Sequence, residues 1–160
     1  MAYPLKHWKW LRKLLDFVYD LKFLVIHRLC VMDKDADFMF VIFHNKKNKE
    51  CVKTFKETCD DISSIGTFLF KRGLRDCKIA LLGENGYEWV VVFFAVLLGK
   101  NVFVPLDRDL PAEDLAEQLI LSGCSVLFYS EKFKEKAEAF QSAAEMPVEH
   151  YFSIKDFDAY

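Results

Sequence analysis

The chain has 160 residues, a formal net charge of −2 and 52% hydrophobic residues, which suits one domain with ample material for a core. Six glycines and four prolines are about half of average usage and exclude collagen-like, linker and low-complexity classes. Near-neutral charge argues against nucleic acid as a partner, since a binding domain should be distinctly basic.

Residues 1–34 carry seven Lys/Arg against three Asp, a balance of +4. Trp8, Leu11, Leu15 and Val18 repeat at helical spacing, with Lys9, Lys13, Asp16 and Asp20 on the opposite face. This basic amphipathic segment can pack on the domain surface or make peripheral contact with an anionic membrane. Met39 to His44 lies within an apolar strand-like run from Phe38; Asn45 to Lys49 is a polar turn, and Glu50 to Lys53 returns, predicting a hairpin. Thr54-Phe55-Lys56-Glu57 is a capping box opening a helix with Phe55, Cys59, Ile62, Gly66, Leu69 and Gly73 on one stripe. Gly73 is its left-handed stop.

From there short apolar strands alternate with helices. Lys78–Leu82, Val102–Leu106, Ser125–Tyr129 and Val148–Ile154 read as strands. Tyr87–Leu98, Pro111–Ser122 and Glu131–Ala144 read as helices, with Trp89, Phe93 and Val96 expected to form the buried stripe of the first. This alternation predicts an α/β fold: an open, mainly parallel sheet with flanking helices, preceded by the amphipathic helix and the hairpin. The longest apolar run, Val90 to Leu98, is too short to span a bilayer.

The five cysteines include no C-x-x-C pair, and their odd number points to reduced thiols in the cytoplasm. Cysteines and histidines are too scattered to suggest a metal site. The sequence has no G-x-G-x-x-G, no G-x-x-x-x-G-K-[ST], no G-x-S-x-G and no H-E-x-x-H. A site in an open parallel sheet lies beyond the carboxyl ends of the strands. Those ends carry Glu84-Asn85-Gly86, Asp107-Arg108-Asp109 and Ser130. Asn85 and Ser130 are also placed to cap the helices that follow, and Asp109 suits the positive end of the next helix. Asn85 and Asp107 are candidates for a substrate rim and Arg108 for a phosphate contact; no residue is a catalytic candidate.

Thr54-Phe55-Lys56-Glu57, Lys78–Leu82, Glu84-Asn85-Gly86-Tyr87-Glu88-Trp89, the Ala95–Gly99 helix stop and Val102-Phe103-Val104-Pro105-Leu106 together resemble the N-terminal part of AMP-forming acyl-CoA synthetases. The match runs in order from about Asp33 to Ile154, and bacterial long-chain members are the most similar. The resemblance implies a ligase of fatty acid metabolism, in which a carboxylic acid, ATP and CoA give acyl-CoA, AMP and pyrophosphate with ATP, Mg and CoA as cofactors. It divides the chain into the segment 1–34 and a partial synthetase subdomain, 35–160. Arg108 corresponds to a basic residue that some relatives place near the CoA phosphates, although Asp109 can occupy that register instead. The family's Ser/Thr/Gly-rich ATP loop with its lysine, its T-E pair, its T-G-D motif and its late catalytic lysine are absent. The chain is therefore expected to be inactive alone, and to self-associate or to pair with the remainder of a synthetase. A non-catalytic α/β interaction or ligand-binding module derived from that fold is the alternative.

Overall fold

The computed structural model describes residues 39–44 and 50–154. The predicted helix within 1–34 and the turn 45–49 lie outside the described residues. The hairpin strands β1 (Met39–His44) and β2 (Glu50–Thr54) pair antiparallel, with Ile42 opposite Val52 and His44 opposite Glu50.

Helix α1 (Phe55–Lys71) begins where the sequence places its capping box. Thr54 Oγ1 accepts from the Glu57 N–H at 3.2 Å, and the Glu57 carboxylate accepts from the Thr54 N–H at 2.8 Å. At the other end Gly73, at φ +73°, donates to the Phe70 carbonyl, while Leu74 donates to that of Leu69. That pair of bonds is a Schellman closure, and its left-handed residue explains the glycine. The buried face of α1 is Thr58, Ile62, Ile65, Phe68 and Leu69. Ile62 and Leu69 belong to the predicted stripe. Phe55 and Cys59 are only half-buried, because the helix is rotated toward Ile65 and Phe68.

The sheet contains β3 (Lys78–Leu82), β4 (Val102–Pro105), β5 (Val126–Tyr129) and β6 (His150–Ser153), all parallel, in the order β4-β3-β5-β6. Between them run α2 (Tyr87–Leu98), α3 (Ala112–Ser122), a short 3-10 turn (Glu131–Phe133) and α4 (Lys134–Ser142). The last predicted helix is thus divided in two and stops at Ser142 rather than Ala144. Alternate residues of the inner strands enter separate cores. Ile79, Leu81, Val126 and Phe128 meet α1 and α2, whereas Ala80, Leu82 and Leu127 meet Leu115, Leu119, Phe133, Ala137 and Phe140.

Apart from Glu88 in its first turn, helix α2 is apolar on every side. Its fully buried face is Tyr87, Val91, Val92, Ala95 and Val96, not the predicted stripe from Trp89. Trp89 is half-buried, stacked on Phe93 at 5.6 Å and edge-on to Phe103 of β4 at 5.3 Å. A helix with no polar face offers no periodicity from which to read its rotation. Asn85 does not cap it either: Gly86 is the N-cap and no side chain fills that role.

Three stability measurements follow. Thr54→Ala should cost about 1 kcal/mol in urea unfolding, a typical loss for an N-cap. The hydrogen bonds from Thr54 hold the Glu57 carboxyl below its ordinary value. That contribution is present above the unfolded carboxylate range and lost as pH falls through the lowered value, so Glu57→Gln should flatten this part of the acid limb while keeping the cap. Trp89→Ala should cost roughly 2 kcal/mol, below the ~3–5 kcal/mol of a fully enclosed aromatic.

Candidate functional site

The order β4-β3-β5-β6 sends the chain from β3 to one side and then back across it, so the direction reverses between β3 and β5. Ligands of open α/β sheets enter at such a reversal, beyond the carboxyl ends of the strands. Two of the three loops named from the sequence meet at this point. The Ser130 N–H donates to the Leu82 carbonyl at 3.0 Å, and Ser130 Oγ donates to Glu84 Oε2 in a short hydrogen bond. A side-chain carbon placed on Gly83 would lie 3.5 Å from Ser130 Cβ and 3.6 Å from Ile154 Cδ1, so three strand ends are in contact. Ser130 is 6% exposed. Its hydroxyl does not cap the helical turn after it, contrary to the capping expectation. The reason is the partner: a carboxylate acceptor forms a stronger bond than a backbone amide donor offers.

The remaining loop sits at the end of β4. Asp107 Oδ1 accepts from the Asp109 N–H at 3.0 Å, and the Asp107 carbonyl accepts from the Leu110 N–H at 3.2 Å. Asp107 therefore shapes the turn, in the manner of short acidic side chains that bond their own backbone. Lys136 of α4 donates to the Leu110 carbonyl at 2.9 Å and pins the loop from the other side. Arg108 approaches the exposed Asp109 only at 3.9 Å, a weak surface pair that leaves the guanidinium open to a ligand. Asn85 is exposed on the same edge. The structure thus brings Glu84 and Ser130 together, but no hydrogen bond joins Asn85, Asp107 and Arg108 side chains to one another among the described residues.

A second polar cluster lies under the hairpin. Tyr87 donates to Asp61 Oδ2 at 2.5 Å, Lys53 donates to the same oxygen at 3.1 Å, and Thr58 donates to the Thr54 carbonyl at 2.9 Å. Burial, reinforced by Asp61, pushes the Tyr87 phenol well above its ordinary value. These groups satisfy one another and tie β2 to α1 and α2, a structural duty. Sequence reasoning named neither this cluster nor the Glu84–Ser130 pair. Their partners stand 26 and 46 positions apart and no local pattern links them.

The fit to an adenine nucleotide is poor. A phosphate cradle needs converging backbone amides or a lysine, whereas the mouth between β3 and β5 presents a carboxylate. Arg108 offers a charge suited to a phosphate, and Lys136 brings a second cation to the same loop. Among the described residues no three His, Cys, Asp or Glu side chains cluster to hold a metal ion.

Comparison with known proteins places this geometry. A family model described as "AMP-binding enzyme" matches residues 31–158. Among curated proteins, bacitracin synthase 2 of Bacillus licheniformis is 23% identical over 110 residues, 68% of this chain and 4% of that protein. The inhibitor-bound N-terminal domain of FACL13 from Mycobacterium tuberculosis superposes with a TM-score of 0.63 at 20% identity, covering 71% of this chain and 29% of that one. O-succinylbenzoate coenzyme A synthetase (MenE) from Bacillus subtilis, in complex with AMP, gives 0.62 at 20% identity, covering 76% and 29%. At such identities these structures share a fold with the chain, which spans under a third of their length.

Two substitutions probe the clusters. Ser130→Ala withdraws a donor from the part-buried Glu84 and should cost about 1–2 kcal/mol in urea unfolding. Tyr87→Phe should cost a similar ~1–2 kcal/mol. The raised phenol stabilises the fold below the ordinary tyrosine value of 10.0, and that stability is lost as pH climbs above it. In Tyr87→Phe the alkaline fall in stability should shrink.

Proposed function

The chain belongs to the AMP-binding enzyme family, and from that premise we propose that it is an N-terminal portion of an AMP-forming acid–CoA ligase that does not adenylate by itself. The observation that carries this reading is the four-stranded parallel sheet, which superposes on less than a third of CoA synthetase chains. The reaction of the complete enzyme joins a carboxylic acid to CoA with ATP giving AMP and pyrophosphate. The acid is taken to be a fatty acid, following the sequence resemblance. Chemistry of this type depends on positioned amides, a lysine and a cation around the transferring phosphates. The 160 residues hold no glycine-rich loop followed by lysine to supply them.

What the chain contributes in this reading is a rim. Arg108 is a contact for a CoA phosphate, with Asn85 and Asp107 flanking the substrate approach. The remainder of a synthetase, on later sequence or on a separate chain, supplies the catalytic groups. A second reading, a non-catalytic module on the same fold, is favoured by one feature: Glu84 and Ser130 occupy each other at the crevice where a ligand would enter.

The test has two parts. Pyrophosphate release from ATP with a panel of fatty acids should stay at background for the purified chain. Release that disappears in Arg108→Ala or Asn85→Ala would overturn the inactivity. Calorimetric titration of CoA should show weak binding that Arg108→Ala reduces about tenfold, the scale of one charged hydrogen bond. Absence of any CoA binding favours the module.

A further inference from the structure

The outer face of α3 combines two features that surface helices usually keep apart. Ile120 and Leu121 are 46% and 78% exposed, and the carboxylates Glu113, Asp114 and Glu117 are exposed beside them. Spacings of three and four residues set Glu113, Glu117, Ile120 and Leu121 side by side, while Leu115 and Leu119 on the other side are enclosed in the core. Glu113 and Asp114 lie in the first turn, where the positive end of a helix favours acids. That reason does not extend to Glu117 or to the two aliphatic side chains. None of the three carboxylates forms an ion pair among the described residues.

The other described helices lack this combination. Helix α1 exposes Phe70 but also carries Lys56 and Lys71, α2 has Glu88 as its one charge, and α4 exposes no large hydrophobic side chain. Helix α3 holds three acids and no Lys or Arg. An apolar patch framed by unpaired carboxylates suits a basic amphipathic partner. The sequence supplies one in the part that lies outside the described residues. Lys6, Lys9, Arg12 and Lys13 give residues 5–15 a charge of +4 with no acid among them. Trp8, Leu11, Leu15 and Val18 form the apolar stripe, and Arg12, four positions from Trp8, flanks it; Asp16 and Asp20 follow on the polar side. As a helix, residues 5–18 would be about 20 Å long, close to the ~16 Å of α3. The stretch between Val18 and Met39 can extend roughly 70 Å, ample to reach from β1 to α3.

We propose that residues 5–18 dock on the outer face of α3 of the same chain, the apolar stripe covering Ile120 and Leu121 and the basic residues meeting Glu113 and Glu117. The contact takes apolar area of both partners out of water and gives the carboxylates of α3 their counter-charges. A second apolar surface, the groove of about 530 Å³ between α1 and α2, is lined by Arg75 and adjoins Lys71 and Arg72 in sequence. Those cations repel a segment of charge +4, so charge selects α3 over the groove. The docking does not depend on the ligase reading.

Hydrogen exchange of the full chain tests it, read by mass spectrometry over residues 8–18 with β3 as the folding control. In the parent these amides should exchange about tenfold more slowly than in a free peptide of the same sequence, and dilution should not change the rate. Ile120→Ser with Leu121→Ser should remove most of that protection. Glu113→Lys with Glu117→Lys, and separately Lys9→Glu with Arg12→Glu, should each speed exchange about fivefold, and combining the two reversals should restore the parent rate. Strand β3 should stay protected throughout; where a pair also loosens β3, Leu121→Ala and Glu117→Gln provide the same reading. The proposal is overturned if the segment exchanges like the free peptide, if the α3 variants leave its protection unchanged, or if the combined reversal fails to restore it. Protection that falls on dilution overturns it as well, by assigning the contact to a second copy of the chain.

Discussion

Strand β3 is the constraint on which the molecule depends. It is hydrogen-bonded on both edges, to β4 and to β5, and Ile79, Ala80, Leu81 and Leu82 are inaccessible to solvent. A strand closed on both faces and both edges admits one register, because a shift of one residue would exchange the sets of side chains between the two cores. Leu82 opposite Tyr129 therefore sets where Glu84 meets Ser130. Lys78 opposite Val102 sets where the end of α1 meets the start of β4. Both ends of the sheet inherit their geometry from the two pairings of this one strand.

The two ends then diverge in chemistry. At the carboxyl edge the polar groups are largely spent on one another: Glu84 on Ser130, and Asp107 on its own turn. Arg108 keeps only a 3.9 Å approach to Asp109. At the amino edge the helices end, and their exposed carbonyls favour cations, as the Lys78 bond to the Ser122 carbonyl illustrates. Membership of an AMP-binding family thus coexists with a crevice whose charge does not suit a nucleotide. The scaffold is shared, whereas the ATP-binding groups of the resemblance are absent from these residues.

Much of the architecture was legible in the residues. Thr54 and Glu57 sit at capping-box spacing, Gly73 stands where a helix must stop in the left-handed region, and four short apolar runs alternate with helices. These signals are local, so they survive without tertiary context. Reading failed where the deciding partner was distant or the pattern uniform. Asn85 and Ser130 both have the residue type for a cap, yet neither side chain caps the helical turn that follows it. Trp89 lies on a helix without a polar face, and its position was decided by Phe93 and Phe103.

The sequence by itself determined the element order, the α/β class, the family resemblance and the absence of a phosphate loop, because each follows from residue types at short fixed spacings. It took the folded chain to show that Glu84 and Ser130 meet between β3 and β5, and that Tyr87 anchors Asp61 and Lys53 beneath the hairpin. Glu84 and Ser130 stand 46 positions apart, and Tyr87 and Asp61 stand 26 apart. The physical agent that brings them together is the parallel register of a buried strand, which no local pattern encodes.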